Sequence, residues 1–192
     1  MKMTLRGRPV WCQLTYVGLT VLLVTAGTRV VAQSRVETGL APADEAALRR
    51  LIPQADHFEL VETGSRHFRA YTSLAPGSEP RLVGLAFFTT DLTPRIYAYK
   101  GRITTLVGMD TRGTLIGVQV VHHYEPFGYF SIDRPDFPEQ FVGKSILDPL
   151  EVGKDIDAVS RATITVEAAT RAIRRGARQL VRDFLVEQAT EP

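Results

Sequence analysis

Cysteine is almost missing from this chain: Cys12 is the only one in 192 residues, and it lies in a basic and apolar N-terminal stretch. A protein so poor in thiols cannot be stapled by disulfides, hold zinc on thiolates or use a thiol nucleophile beyond that stretch. Its stability has to come from core packing, and any redox chemistry needs a bound group. Internal repeats, low-complexity tracts and long runs of one charge are also missing, which excludes solenoids, collagen and disordered tails. What is present is 44% hydrophobic and 23% charged residues, enough for one domain with a real core.

The N-terminus reads differently from the rest. Lys2, Arg6 and Arg8 precede an apolar run from Leu14 to Ala26, and Val30 to Ala32 offers small residues for cleavage. Residues 1–32 are therefore expected to be a secretory signal, or else an uncleaved anchor, with one domain over residues 33–192. Arg29 leaves the apolar stretch short of the roughly 20 residues that span a bilayer comfortably. Removing the segment takes away Lys2, Arg6, Arg8 and Arg29 and no acid, so the net charge falls from +2 to −2. Nucleic-acid binding, which needs a dense basic face on the mature chain, is disfavoured. An exported location, periplasmic and possibly membrane-associated through an uncleaved segment, follows as the expectation.

Along the remaining chain, Pro42–Pro53 has Ala46, Leu48, Leu51 and Ile52 near helical spacing, with acids first and arginines last, and reads as a short amphipathic helix. "HFELVET" and "HFRAYTS" read as strands around Gly64 and Ser65. Arg81–Leu92 reads as a buried strand in which Gly84 marks a close approach. Ile103–Met109 and Thr114–Tyr124 meet at "DTRG" as an antiparallel hairpin. Pro126–Pro138 has no usable period and reads as an ordered surface loop. About Thr165–Glu187, Ala169, Ile173, Gly176 or Ala177, Leu180 and Phe184 share one stripe, while Arg171, Arg175, Arg178 and Arg182 share another, read as a solvated face. The fold class expected is α+β: a twisted, mainly antiparallel sheet flanked by helices, ending in a long amphipathic helix.

The stretch with chemical meaning is "DAVSRATIT". Asp157, Ser160 and Thr163 recur at three-residue intervals just before the last helix, with Thr165 read as its N-cap. Hydroxyls beside exposed helix-start amides favour a phosphate, although the same residues also suit an ordinary cap. The spacing resembles the Asp-x-x-Ser/Thr-Gly-Ala-Thr flavinylation motif of the FMN-binding domain family, found in Rnf-type and sodium-pumping quinone reductase complexes. "LIPQADHFELVE", "GLAFFTTDL", "LVGMDTRGTLIGVQVVHHYEP" and "FVGKS" further resemble the exported N-terminal domain of NosR-type flavoproteins associated with nitrous oxide reductase.

That resemblance implies FMN as cofactor, esterified through its phosphate to Thr163 by an FMN transferase that recognises Asp157, Ser160 and Ala162. It also implies roles beside the flavin for His123 and Glu125 and a cofactor contact for Lys144. Phe127, Tyr129 and Phe130 are expected over the ring, because stacking against a planar ring is favourable and loops commonly finish such sites. The function implied is electron transfer between membrane or periplasmic redox partners, not turnover of a small substrate. The alternatives are a non-covalent FMN sensor or maturation factor, and a cofactor-free interaction module. No catalytic residue and no metal site is expected, since adjacent strand residues face opposite ways and His123 with Glu125 gives only two ligands. One departure stands out: Arg161 occupies the family's Gly position. If the backbone there takes positive φ, the side chain costs on the order of 1 kcal/mol.

Overall fold

The computed structural model describes residues 41–73 and 77–190. The expected leader, with Cys12, lies outside the described residues, as does the middle of the "APGSEP" connector. Helix α1 spans Pro42–Leu51, with proline in its first turn, Asp44 and Glu45 near its positive end and Arg49 and Arg50 near its negative end. Five strands follow, β1 His57–Val61, β2 His67–Thr72, β3 Arg81–Phe88, β4 Thr104–Asp110 and β5 Leu115–His122. They form one antiparallel sheet in chain order, so every pairing is a meander. The fold is α+β, as expected.

Period-two alternation sorts the strands onto two faces. Ala86 and Leu106 face α1, where they pack with Leu48, Ile52, Phe58 and Phe68. Leu85, Phe87, Val107 and Met109 face the other way, onto a 28-residue helix, α4, Thr163–Thr190. That helix buries Val166, Ala169, Ile173, Ala177, Leu180 and Phe184, the expected stripe extended by one turn. Each large apolar side chain buried here contributes roughly 1.5–3 kcal/mol. Glycines make room where layers approach closely: a Cβ on Gly84 would come within 2.7 Å of the Met109 carbonyl oxygen, and one on Gly176 would overlap the Phe87 ring.

Three expectations need correction. The strand expected through Leu92 stops at Phe88, and Thr89–Leu92 forms a helical turn, α2. The reason is Thr89, whose buried hydroxyl donates to the Ile103 carbonyl and accepts from the Thr105 amide, taking over the role of a ladder partner. The segment Pro126–Pro138 is not a plain surface loop. It contains a 3₁₀ turn, Gly128–Phe130, and a short helix α3, Asp136–Glu139, and it buries Ile132 and Phe137 in the α4-side core. Elements of three or four residues are too short to show a period. Finally, α4 begins at Thr163, because the Ala162 carbonyl already accepts from the Val166 amide at 2.9 Å. Ala162 is thus the residue at the N-cap position, and Thr165 lies inside the first turn.

Candidate functional site

The start of α4 is shaped by the residues just before it. Arg161 has φ +70°, in the left-handed region that favours glycine, and its side chain is exposed. The turn closes with the Ala162 amide on the Val159 carbonyl at 3.0 Å, and Ala162 itself is buried. An alanine offers no side-chain acceptor, and the amides of Thr163, Ile164 and Thr165 have no intrahelical partner. These amides form the positive end of a 28-residue helix, beside the exposed Thr163 side chain. Ser160 and Asp157 are exposed in the preceding segment, which is tied down by the Asp157 amide on Gln140 Oε1 at 2.7 Å.

Thr165 turns the other way and is almost fully buried. Its hydroxyl donates to Glu125 Oε2 at 2.6 Å. Glu125 is itself buried, and its carboxylate also accepts from the amides of Tyr99 at 3.2 Å and Lys100 at 2.7 Å. Those two amides are presented together by a turn that the Ala98 amide closes on the Gly101 carbonyl. One carboxylate therefore joins the β4 approach, the end of β5 and the first turn of α4, with charge-assisted bonds in a dry setting.

His123 adds a second link. The Glu125 amide donates to its Nδ1 at 3.0 Å, which puts the proton on Nε2, and Nε2 donates to Asp133 Oδ1 at 2.7 Å. Gly128 packs on the imidazole so closely that a Cβ there would overlap the ring. On the segments that carry Glu125, His123 and their partners, Tyr99, Tyr124, Phe127 and Tyr129 are exposed. Phe130 is half-buried and holds Phe127 and Tyr129 by ring contacts at 5.6 and 5.0 Å. Large apolar rings left open to solvent on neighbouring loops are a surface prepared for a partner or ligand.

Thr165, Glu125 and His123 are thus brought together next to Thr163, Ala162, Ser160 and Asp157. Lys144 is not joined to them by any hydrogen bond or ion pair among the described residues; its carbonyl accepts from the Leu115 amide, at the opposite end of β5 from Glu125. Tyr99, Lys100 and Asp133 were not foreseen as part of the site. Two of them act through backbone amides, and Asp133 sits in a loop, so no side-chain pattern announces them.

Residues 98–178 match the family described as FMN-binding domain. This span contains the whole cluster from Tyr99 to Thr165. Over that span the chain is similar to the FMN-binding domain family. Its cofactor is FMN. The domain is similar to a subunit of the ion-translocating oxidoreductase complex of Cereibacter sphaeroides, 31% identical over 147 residues, covering 71% of this chain and 64% of the relative. Against the subunit of the same name from Haemophilus influenzae it is 28% identical over 184 residues, 85% of each chain. The chain thus spans just under two thirds of the first of these proteins. Among the described residues, no helix is long and apolar enough to cross a membrane.

The residues fit the cofactor at both of its ends. A phosphate suits the first-turn amides of α4, with the exposed Arg161 two residues before Thr163 as a cationic donor. A planar tricyclic ring suits the exposed aromatic loops that flank Glu125.

Proposed function

We propose that this chain is an exported flavoprotein in which the FMN phosphate is esterified to the Thr163 hydroxyl, and that it relays electrons between redox partners at a membrane. When bound, FMN supplies one- and two-electron redox chemistry that no side chain of this protein could provide. Attachment exchanges the Thr163 O–H bond for a P–O bond; the activated flavin phosphate held by an FMN transferase loses its leaving group, which departs with the proton. Asp157, Ser160 and Ala162 form the sequence that such a transferase reads.

The polypeptide then does three physical jobs. The first-turn amides and Arg161 neutralise the phosphodiester charge. Glu125, through Thr165, holds the first turn of α4 in register with the 98–101 turn and the end of β5. Phe127 and Tyr129, braced by Phe130, offer ring faces that shield one side of the isoalloxazine from water. The relatives' name, a subunit of an ion-translocating oxidoreductase complex, supports membrane or periplasmic electron-transfer proteins as the partners.

The observation that carries this reading is Arg161 at φ +70°. A left-handed turn, which a glycine at this motif position would adopt freely, is made here by an arginine, two residues before an exposed Thr163. Mass spectrometry of protein produced beside an FMN transferase should find one FMN adduct on the peptide containing Thr163. The yellow colour should stay with acid-precipitated protein and be lost in Thr163→Val. A Thr163→Val protein that keeps its colour through precipitation would end the proposal.

A further inference from the structure

Farther along α4, four arginines converge on one groove. Arg175, Arg178 and Arg182 line one wall at i, i+3 and i+7, Arg95 closes it, and Leu92 and Ile96 contribute an apolar wall to a cavity of about 520 Å³. No carboxylate is among the described lining residues. Arg178 is not a solvated side chain: its guanidinium donates to the Ile146 carbonyl at 2.8 Å and to the Asp148 carbonyl at 2.7 Å, which fixes it as part of the wall.

The other three differ from the arginines that are held in ion pairs. Arg49, Arg66, Arg134 and Arg174 each sit on a carboxylate. Arg95, Arg175 and Arg182 make no hydrogen bond or ion pair with any described residue. Asp183, the acid next in sequence to Arg182, is taken by the Ser65 hydroxyl. Uncompensated guanidiniums gathered in one concavity focus a positive field, and their planar forks match phosphate oxygens.

The position of the groove decides between occupants. It lies twelve to nineteen residues along α4 from Thr163, about 18–28 Å at 1.5 Å per residue. Along α4 the groove is therefore displaced from the first turn of the helix, which suits it to anchoring. Its chemistry is that of an interfacial surface, with a cationic wall facing an apolar one. Exposed apolar side chains flank both ends: Tyr97 follows Ile96 in sequence, and Leu185 follows Arg182 by one turn.

We propose that this groove docks the phosphate headgroups of an anionic lipid bilayer. The inference does not depend on Thr163 being flavinylated. The test is sedimentation of the purified full chain with vesicles of phosphatidylcholine alone or with phosphatidylglycerol added, comparing the parent with the triple variant Arg95→Gln, Arg175→Gln, Arg182→Gln. The N-terminal apolar run is common to both proteins, so the readout is the difference between anionic and neutral vesicles. Parent protein should prefer the anionic vesicles, with the preference weakening as salt rises. The triple variant should lose that preference by roughly fivefold per arginine removed, and a control with three distant arginines changed, Arg49, Arg112 and Arg134, should keep it. Equal binding of the parent to both vesicles, retention of the preference by the triple variant, or equal loss in the control would overturn the proposal. So would capture of the parent by immobilised polyglutamate with no preference for anionic vesicles.

Discussion

At the scale of single residues, Arg161 and Glu125 dominate the site for opposite reasons. Arg161 is held where a side chain is disfavoured, at φ +70°. Arg161→Gly should therefore raise the urea midpoint by an amount equivalent to about 1 kcal/mol. An unchanged or lowered midpoint would mean that the guanidinium repays the strain. Glu125 is buried with three donors, of which Thr165 is the only side chain. Thr165→Val keeps the shape and removes that donor, and should cost about 1–3 kcal/mol in urea unfolding because the carboxylate is left under-satisfied. The Asp157–Thr163 spacing that resembles the flavinylation motif was legible residue by residue, since it is contiguous. The partners of Glu125 were not, because two of them are main-chain amides that every residue type but proline possesses.

At the scale of elements, the hairpins and layer contacts set the tolerances. Gly84 in β3 faces the Met109 carbonyl of β4, so Gly84→Ala forces backbone against backbone. It should destabilise by roughly 1–3 kcal/mol, visible as a lower thermal midpoint. The β4–β5 turn is held by Asp110, whose Oδ1 accepts from the amides of Arg112 and Thr114. Burial alone would raise the Asp110 carboxyl, but those amides and the Arg112 charge together hold it below its ordinary 3.8. A carboxylate lowered in the folded state stabilises fully above its unfolded value, and the contribution is lost as pH falls through the lower folded value. Asp110→Ala should thus be less stable than the parent at neutral pH by about 1–2 kcal/mol, with the gap closing below pH ~3.8 in urea titrations. A gap independent of pH would remove the charge from the explanation. Strand pairing was readable here because alternation and the "DTRG" turn agree. The short helices of 128–139 were hidden because their stability comes from Ile132 and Phe137 entering the core, which local sequence does not report.

On the scale of the whole molecule, one sheet among the described residues separates two apolar cores, with α1 over one face and α4 over the other. The strands are shared, so neither core can be lost without exposing the back of the other. Phe58→Ala on the α1 side and Phe87→Ala on the α4 side should each cost about 3–5 kcal/mol. Both should lower a single transition that coincides by far-UV circular dichroism and tyrosine fluorescence. Separate transitions for the two probes would show the α1 side to be an independent unit. The same arrangement explains the site: α4 is seated on the sheet by its apolar stripe, and that seating carries its first turn to the end of β5, where Glu125 waits.

The order of residues alone was enough for the strand pattern, the amphipathic last helix and the Asp157–Thr163 motif, because each depends on neighbours within a few positions. Tertiary structure alone decided that α4 starts at Thr163, that Arg161 takes a left-handed turn, that Glu125 grips Thr165 from forty residues away, and that Arg95 meets the arginines of α4. These features depend on contacts between segments distant in the chain, and such contacts form only once the sheet has brought the segments together.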